Sequence, residues 1–431
     1  MSSGLGLLRV PLRLPCGAIL PNRLSKAAMT EGLSPDGLPN IEHERLYRAW
    51  SRCGVGMTIT GNVQIDRHHL ERPGNVILDG EPGVAARAAF AHWAGVAREG
   101  GQHVWMQISH AGRQTPSLIN PHPYAPSAVA LDIPGRFGAP RAMPAAEIAR
   151  VTAGFARSAR VARECGFDGV QIHAAHGYLL SSFLNPRANL RDDGWGGPLE
   201  NRARLLLDVV ATTRAAVGDD FPISVKLNSA DFQQGGFDFE DSVILAGWLA
   251  DASVDLLEIS GGNYEQASMM GAPGGPPARA STRAREAYFL DFARLMMQGR
   301  TPPLMVTGGF RSAAAMIEAV EAGVAVVGIA RPICAELDGP AGLLAGDRGE
   351  LARFEMRLLA EPPAPPPPEA GPGELPPMFS VIAWFYQQLR RIGKGLAPEL
   401  ALTGAQAYLD ERRDDAALAP KISAKLPPGR R

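Results

Sequence analysis

A surplus of either charge is missing from this chain. Its 431 residues hold 43 Lys and Arg against 44 Asp and Glu, a formal net charge of −1. No overall field gathers polyanions, which argues against nucleic acid as a partner. Cysteine is scarce: Cys16, Cys53, Cys165 and Cys334 lie far apart. Without a CxxC pair, a zinc ribbon or an iron–sulfur cluster has no sequence support. Dispersed single thiols suit a reducing cytoplasm. Long apolar runs are missing too. The opening MSSGLGLLRVPLRLP is broken by Arg9, Pro11, Arg13 and Pro15, so no signal peptide is expected, and no run is long enough to span a membrane. The remaining balance, 45% hydrophobic and 20% charged, is that of a soluble globular protein able to bury a sizeable core.

What is present is a rhythm. Short apolar, β-branched runs recur, each followed by a stretch with helical spacing. They are LSKAAM (24–29), VGMTITGNV (55–63), HVWMQIS (103–109), DGVQIH (168–173), PISVKLNS (222–229), VDLLEIS (254–260), PLMVTG (303–308) and VAVVGIA (324–330). Such runs read as parallel strands buried on both faces by helices. Eight β-then-α units point to a (β/α)₈ barrel, an α/β fold. The rival doubly wound sheet would have fewer strands and a Gly-rich first turn, and no GxGxxG follows the first run. Residues 10–22 read as a small hairpin closing the barrel floor.

The barrel is expected to span residues 1–360. EPPAPPPPEAGPGELPP (361–377) is too rich in proline for a helix or a central strand and reads as an extended spacer. In the extension at 378–431, MFSVIAWFYQQLRRIGKG (378–395) reads as an amphipathic helix with an aromatic face. It packs either on its own barrel or against a neighbouring subunit, and aromatics at helical spacing are more often simple core. The second option would make the protein a homodimer or homotetramer. The last dozen residues are polar and basic and are expected to fray.

In such barrels the active site lies at the C-terminal ends of the strands. Here those ends are polar: Met29-Thr30-Glu31, Gly61-Asn62, Gln107 with Ser109-His110, His173 with His176 and Tyr178, Lys226 with Asn228, Ser260-Gly261-Gly262, Thr307-Gly308-Gly309, and Ala330-Arg331. TGGF places glycines where backbone approaches something closely, just before a helix start at Arg311-Ser312. The loops after the seventh and eighth strands are this fold's usual phosphate site, and Arg331 would add a charge-assisted fork. Lys226, flanked by apolar residues, points into the barrel mouth and needs a negative partner. The residues leave three readings open: an ion pair with an interior carboxylate such as Asp231, a Schiff-base lysine, or a cation facing an electron-rich heterocycle. No third metal ligand accompanies the HxxH pair, so His173, His176 and Tyr178 read as hydrogen-bond donors toward one substrate oxygen, with a proton donor nearby.

Read in order, LPNRLSKAAMTEG, TGNVQID, QISHAGRQT, APS, GFDGVQIHAAHGYLLSSFLNPRANLRDDGWGG followed by ENR, KLNSADF, LEISGG, TGGF and GIARP resemble the old yellow enzyme family of FMN-dependent ene-reductases over roughly residues 8–335. The resemblance implies that Gln107 and Lys226 contact the flavin's pyrimidine edge. His173 and His176 would hold a carbonyl or nitro oxygen above the flavin, with His173 touching it, and Tyr178 would donate the proton. Thr30 would tune the flavin through its O4. Ala28, Met29 and Asn62 would skirt the ring, and Gly308, Gly309, Ala330 and Arg331 would clamp the phosphate. Some relatives carry a tyrosine soon after the first-strand motif; here the segment is Thr30-Glu31-Gly32-Leu33, so part of the substrate wall differs. The four-cysteine site and dinucleotide domain of dienoyl-CoA reductases are not in this sequence.

The implied reaction has NAD(P)H reduce FMN. Hydride then passes from flavin N5 to an α,β-unsaturated carbonyl compound or similarly activated alkene, with protonation by Tyr178. The partners would be that alkene and a nicotinamide, with no resident metal. A Schiff-base lyase or aldolase using Lys226, or a non-catalytic flavin-binding protein, are the alternatives.

Overall fold

Alternating side chains account for most of this architecture. The computed structural model describes residues 2–131, 133, 136–261, 289–361 and 377–423. All eight apolar runs form strands of one closed barrel: β1 (Leu24–Lys26), β2 (Met57–Gln64), β3 (His103–Ser109), β4 (Gly169–Ala174), β5 (Ile223–Asn228), β6 (Leu256–Ser260), β7 (Leu304–Thr307) and β8 (Val326–Ile329). Each strand pairs in parallel with the next, and β8 closes on β1 with Val327 opposite Leu24 and Ile329 opposite Lys26. Successive side chains point to opposite faces. Val104, Met106 and Ile108 of β3 therefore join the layer under the helices, whereas Trp105 packs with Met57, Ile59, Leu256 and Met305 in the barrel interior. The expected hairpin is present as Leu12–Arg13 against Ile19–Leu20, and Leu14 and Leu20 belong to the same interior cluster, so it plugs the floor.

One strand breaks the alternation. Met57 and Ile59 face the interior, yet Val63 faces the outer layer. The β2–β3 register shifts between Ile59 and Asn62, a bulge that re-aims the following side chains. Gly61 lies in it, and a Cβ there would come within 1.9 Å of Glu31 Oε2. After the bulge, Asn62 reaches Thr30 at the mouth, with Asn62 Oδ1 3.3 Å from Thr30 Oγ1.

The helices are α1 (Ser2–Arg9), α2 (Ile41–Ser51), α3 (Val84–Ala97), α4 (Ala145–Glu164), α5 (Leu179–Leu184), α6 (Leu199–Val217), α7 (Phe239–Asp251), α8 (Leu290–Met296), α9 (Ala313–Glu321), α10 (Gly339–Ala345), α11 (Phe354–Leu359), α12 (Pro377–Gly393) and α13 (Gly404–Ser423). Local chemistry starts several of them. The Asn40 side chain accepts from the backbone N–H groups of Glu42 and His43 while His43 reaches back, a capping box for α2. Ser312 Oγ accepts from Ala315 N to cap α9. None of the described helices is long and apolar enough to cross a membrane.

The extension folds onto its own barrel. α12 packs against α2 and α13, and its aromatic face is core: Trp384 is fully buried and its Nε1 donates to Leu402 O at 3.0 Å. This is the first of the two packings expected for residues 378–395. Periodicity alone marks neither α1 nor α13. α1 contains Gly4 and Gly6, poor helix formers, and is held by Leu8, which has no exposure, and by Gly4 against Ile317. α13, with two acidic and basic blocks, has no clear apolar stripe. Of the Pro-rich spacer at 361–377, residues 362–376 lie outside the described residues, as do residues 424–431 of the polar tail and Gly262.

Candidate active site

Strand register assembles the floor of the barrel mouth. Gln107 lies opposite Gln171, His173 opposite Lys226, and Lys226 opposite Glu258. All point inward, and they form one chain of contacts. Gln107 Nε2 donates to Gln171 Oε1 at 2.8 Å, Gln171 Nε2 donates to Glu258 Oε2 at 2.8 Å, and Lys226 Nζ meets Glu258 Oε1 at 3.0 Å. The partner of Lys226 is thus Glu258 on the adjacent strand, not Asp231. Asp231 instead accepts from Asn185 Nδ2 at 2.6 Å and Asn228 Nδ2 at 2.7 Å, and burial pushes its carboxyl up to about 6. Glu258 and Gln171 were not among the expected site residues. Their signal was available: both sit at the period-2 positions of LLEIS and GVQIH that share a face with Lys226 and His173.

Above this floor stand the two histidines and the tyrosine. The His173 and His176 rings are 5.3 Å apart, edge to face, and His173 and Tyr178 are 4.9 Å apart. His173 and Tyr178 are each 5% exposed. The cluster is held by backbone that departs from the strand. His176 adopts φ 62°, a left-handed turn that costs a non-glycine residue about 1–3 kcal/mol and recurs at functional sites. Neighbours fix it: Asn228 Oδ1 accepts from His176 N at 3.2 Å, and Gln114 Nε2 donates to His176 O at 2.8 Å. The His176 ring meets Ser260 Oγ through Nε2 at 2.7 Å. His173 Nδ1 accepts from Ala175 N at 3.3 Å, which leaves the proton on Nε2. Burial holds both imidazoles well below the usual histidine range; the charge of Lys226 adds to it for both, and each lies near the other. Both rings are therefore neutral at pH 7, and each offers one N–H.

Residues 179–184 form α5, entirely buried. Beyond it, Asn189 Nδ2 bridges Phe183 O and Trp195 O, and Arg191 binds Asp193 and the carbonyls of Pro126 and Met143. This polar framework clamps α5 against the loop after β3.

At the opposite side, Gly308 (φ 143°) and Gly309 (φ 81°) take conformations that L side chains rarely adopt. They precede Arg311, which is 5% exposed and bonded to Glu355. Burial and then Glu355 and Arg331 are the largest influences on Arg311, so the Arg331 charge lies close by on the turn Arg331–Cys334 that follows β8. Thr307 Oγ1 is buried without a hydrogen-bond partner, and Gly328 leaves it room: a Cβ at 328 would meet it at 1.9 Å. Glycine backbone, guanidinium groups and the start of α9 together suit an anion.

The rim between these ends is Ala28, Met29, Thr30 and Asn62, all partly or fully buried. Behind it lies an ionic network absent from the sequence reading. Lys26 Nζ donates to Ile59 O at 2.6 Å and sits 4.4 Å over the Trp50 ring, with burial lowering its pKa to about 8. Glu31 accepts from Tyr47 Oη and from Gly61 N, the latter at 2.9 Å. A second buried group, Asp66, His69 and His110, has the composition of a metal site. Most of its atoms already serve the fold, although His110 Nε2 lies 3.9 Å from Asp66 without a hydrogen bond. Asp66 takes His69 Nδ1 at 3.0 Å and Arg150 Nη2 at 2.6 Å, His69 Nε2 accepts from Tyr124 N at 2.9 Å, and His110 Nδ1 accepts from Gly112 N at 3.1 Å. A guanidinium in the carboxylate's coordination position opposes a cation.

The mouth thus offers hydrogen-bond donors and one ammonium at one end, anion-binding backbone at the other, and between them a rim of apolar Ala28 and Met29 beside polar Thr30 and Asn62. That set fits a flat heterocycle carrying a phosphate. Comparison with known proteins agrees. Residues 11–341 match the model of the NADH:flavin oxidoreductase / NADH oxidase family. The chain is 40% identical over 343 residues to the NADH-dependent flavin oxidoreductase iliE of Hypocrea jecorina, covering 75% of this chain and 85% of that protein. It is 37% identical over 330 residues to the NADH-dependent flavin oxidoreductase nadA of Aspergillus parasiticus, 73% of each. Among solved structures, the old yellow enzyme homologue from Zymomonas mobilis shares 26% identity at a TM-score of 0.66, over 81% of this chain and 95% of that one. The chain belongs to the NADH:flavin oxidoreductase / NADH oxidase family, of the old yellow enzyme type, with FMN as cofactor and NAD(P)H as reductant.

Proposed function

We propose that this protein reduces the C=C bond of α,β-unsaturated carbonyl compounds or similarly activated alkenes. The observation that carries the reading is the trio of His173, His176 and Tyr178: two neutral imidazoles and a phenol, rings 4.9 and 5.3 Å from His173, over a buried ammonium. FMN, when bound, supplies the hydride that it takes from NAD(P)H. Gln107 and Lys226 would hold its pyrimidine edge, Ala28, Met29, Thr30 and Asn62 its ring, His173 its face, and Gly308, Gly309, Ala330 and Arg331 its phosphate.

The protein's own part is binding and proton management. N–H groups of His173 and His176 donate to the substrate oxygen and draw electron density from the β-carbon. Because both rings are neutral, they polarise the carbonyl without giving up a proton. Tyr178, packed edge to face on His173, delivers the proton to the α-carbon. Glu258 keeps Lys226 as a charge partner rather than a nucleophile: an ammonium held in an ion pair has no lone pair for a Schiff base. The barrel to residue 360 would carry this chemistry in the cytoplasm, with the helices after 378 as an extension.

Tyr178→Phe tests the reading. Rapid-mixing kinetics should show flavin reduction by NAD(P)H unchanged and alkene-dependent reoxidation slowed by about 10²–10⁴, the usual worth of a positioned general acid. Equal slowing of both half-reactions would remove Tyr178 from the proton-donor role.

A further inference from the structure

We infer that Glu31 is a positioning residue for the flavin: together with Lys26 it holds the β2 bulge in the form that turns Thr30 and Asn62 toward the ring. That assignment rests on the reading in which these two side chains skirt the ring.

The bulge sets two residues against one. Ile59 pairs with Trp105 and Asn62 with Gln107, so Thr60 and Gly61 together stand opposite Met106. Such an insertion disrupts the ladder, and its buried polar groups need other partners. Side chains supply them. Thr60 Oγ1 accepts from Gln107 N at 3.0 Å and donates to Gly61 O at 2.8 Å. Glu31 Oε1 accepts from Gly61 N at 2.9 Å, and Lys26 Nζ donates to Ile59 O at 2.6 Å. Both charged residues belong to β1 or to the segment that leaves it, so the exit of β1 grips the bulge at two points.

Thr30 and Asn62 are the chain neighbours of the two residues that this grip joins, Glu31 and Gly61. Fixing Glu31 to Gly61 therefore fixes one rim side chain beside the other. Thr30 Oγ1 donates to Asn62 Oδ1 at 3.3 Å, and Asn75 Nδ2 donates to the same oxygen at 2.9 Å.

The anchor is rigid and chemically matched. Glu31 is 5% exposed, and Lys26 and Tyr47 have no exposure. Tyr47 Oη donates to Glu31 Oε1 and accepts from Gly61 N at 3.2 Å, which closes a triangle of hydrogen bonds. The Tyr47 ring is itself packed edge to face on Trp50 and Trp93, 5.1 Å from each. An N–H and an O–H converge on one oxygen, and an ionised carboxylate, which only accepts, suits both. The charge of Lys26 favours that ionised form. Lys26 lies 4.4 Å over the Trp50 ring of α2, and Glu31 is held by Tyr47 of the same helix. The pair thus acts on the flavin through Thr30 and Asn62.

The test uses the FMN-loaded full chain and no alkene. Glu31→Gln keeps an oxygen that accepts from Gly61 N. The Lys26 amine, which burial lowers to about 8, can then lose its proton rather than stay uncompensated. Glu31→Leu keeps the bulk and removes the acceptor. FMN release on dilution, read as the return of flavin fluorescence, should be roughly tenfold faster for Glu31→Leu and within about twofold of wild type for Glu31→Gln. The visible band of the bound flavin should change in Glu31→Leu as it does in Asn62→Ala, and stay as in wild type in Glu31→Gln. Wild-type release and band in Glu31→Leu would overturn the inference. So would a Glu31→Gln protein as impaired as Glu31→Leu, because the acceptor would then not be what matters. Should Glu31→Leu fail to fold, Tyr47→Phe takes its place: it removes one of the two donors to Glu31 and should speed release about threefold and alter the band, and no change would overturn the inference. If Asn62→Ala alters neither release nor band, the rim reading falls and the inference with it. A response to Asn62→Ala without one to Glu31→Leu removes Glu31 alone.

Discussion

The ion pair between Lys226 and Glu258 joins two buried charges, so its energetics can be tested directly. Glu258 has no side-chain exposure and Lys226 6%, at 3.0 Å separation. Glu258→Gln keeps the side-chain volume, so no cavity is added, but it leaves an uncompensated ammonium in the barrel; removing one partner of a buried pair costs about 3–5 kcal/mol. Lys226→Met leaves the opposite charge and should cost a similar amount. The double variant Lys226→Met/Glu258→Gln buries no charge at all. It should lose less than about 2 kcal/mol, since replacing a whole buried pair is often neutral. The singles sum to roughly 6–10 kcal/mol, so the coupling is at least about 4 kcal/mol, above the 0.5–3 kcal/mol common for touching residues. Urea unfolding at pH 7, followed by circular dichroism and tryptophan fluorescence, measures each corner of the cycle. Losses that add within about 0.5 kcal/mol would mean the two charges do not compensate each other, and the picture of an ionic barrel floor would be wrong.

Other predictions follow from single observations. Gly61→Ala drives a Cβ to 1.9 Å from Glu31 Oε2 and should destabilise by about 1–3 kcal/mol, whereas Gly80→Ala, with nothing within 4 Å, should be near neutral; thermal melts compare them. His173 and His176 bind protons less readily folded than unfolded, so the unfolded state takes up more protons below pH 6.5 and stability falls as pH drops through that range. His173→Asn/His176→Asn should flatten that dependence, and kcat/KM for alkene reduction should show no inflection near 6.5; a limb there would mean the rings titrate as ordinary histidines. Trp384→Ala removes a fully buried indole and should cost about 3–5 kcal/mol, with limited proteolysis cutting first within 377–423. First cuts in the barrel instead would show that the extension is not held through that residue.

Much of the site was legible because a strand alternates strictly. Gln107, His173 and Lys226 stand at inward positions of HVWMQIS, DGVQIH and PISVKLNS, and the barrel brings them together. Asn62 was legible only as a strand-end residue. Its inward direction depends on the bulge at Thr60 and Gly61, where the missing Cβ of Gly61 leaves room for Glu31. An ion pair with an interior carboxylate was one reading open for Lys226; Asp231, the example, is near in sequence, whereas Glu258 is near in register. The helix α5 carries no periodic signal because it has only six residues, and complete burial stabilises it.

The amino-acid sequence by itself determined the count and order of the strands, the floor hairpin, the polar mouth and the aromatic helix after the proline tract, since each depends on local composition and periodicity. Tertiary structure alone decided which charges compensate, which backbone turns lift His176, and where the extension docks. Arg72 and Asp415 are 343 positions apart, yet 2.8 Å separate their atoms. A pairing of that kind has no period or motif; it is set by how the completed barrel presents one buried guanidinium to the last helix.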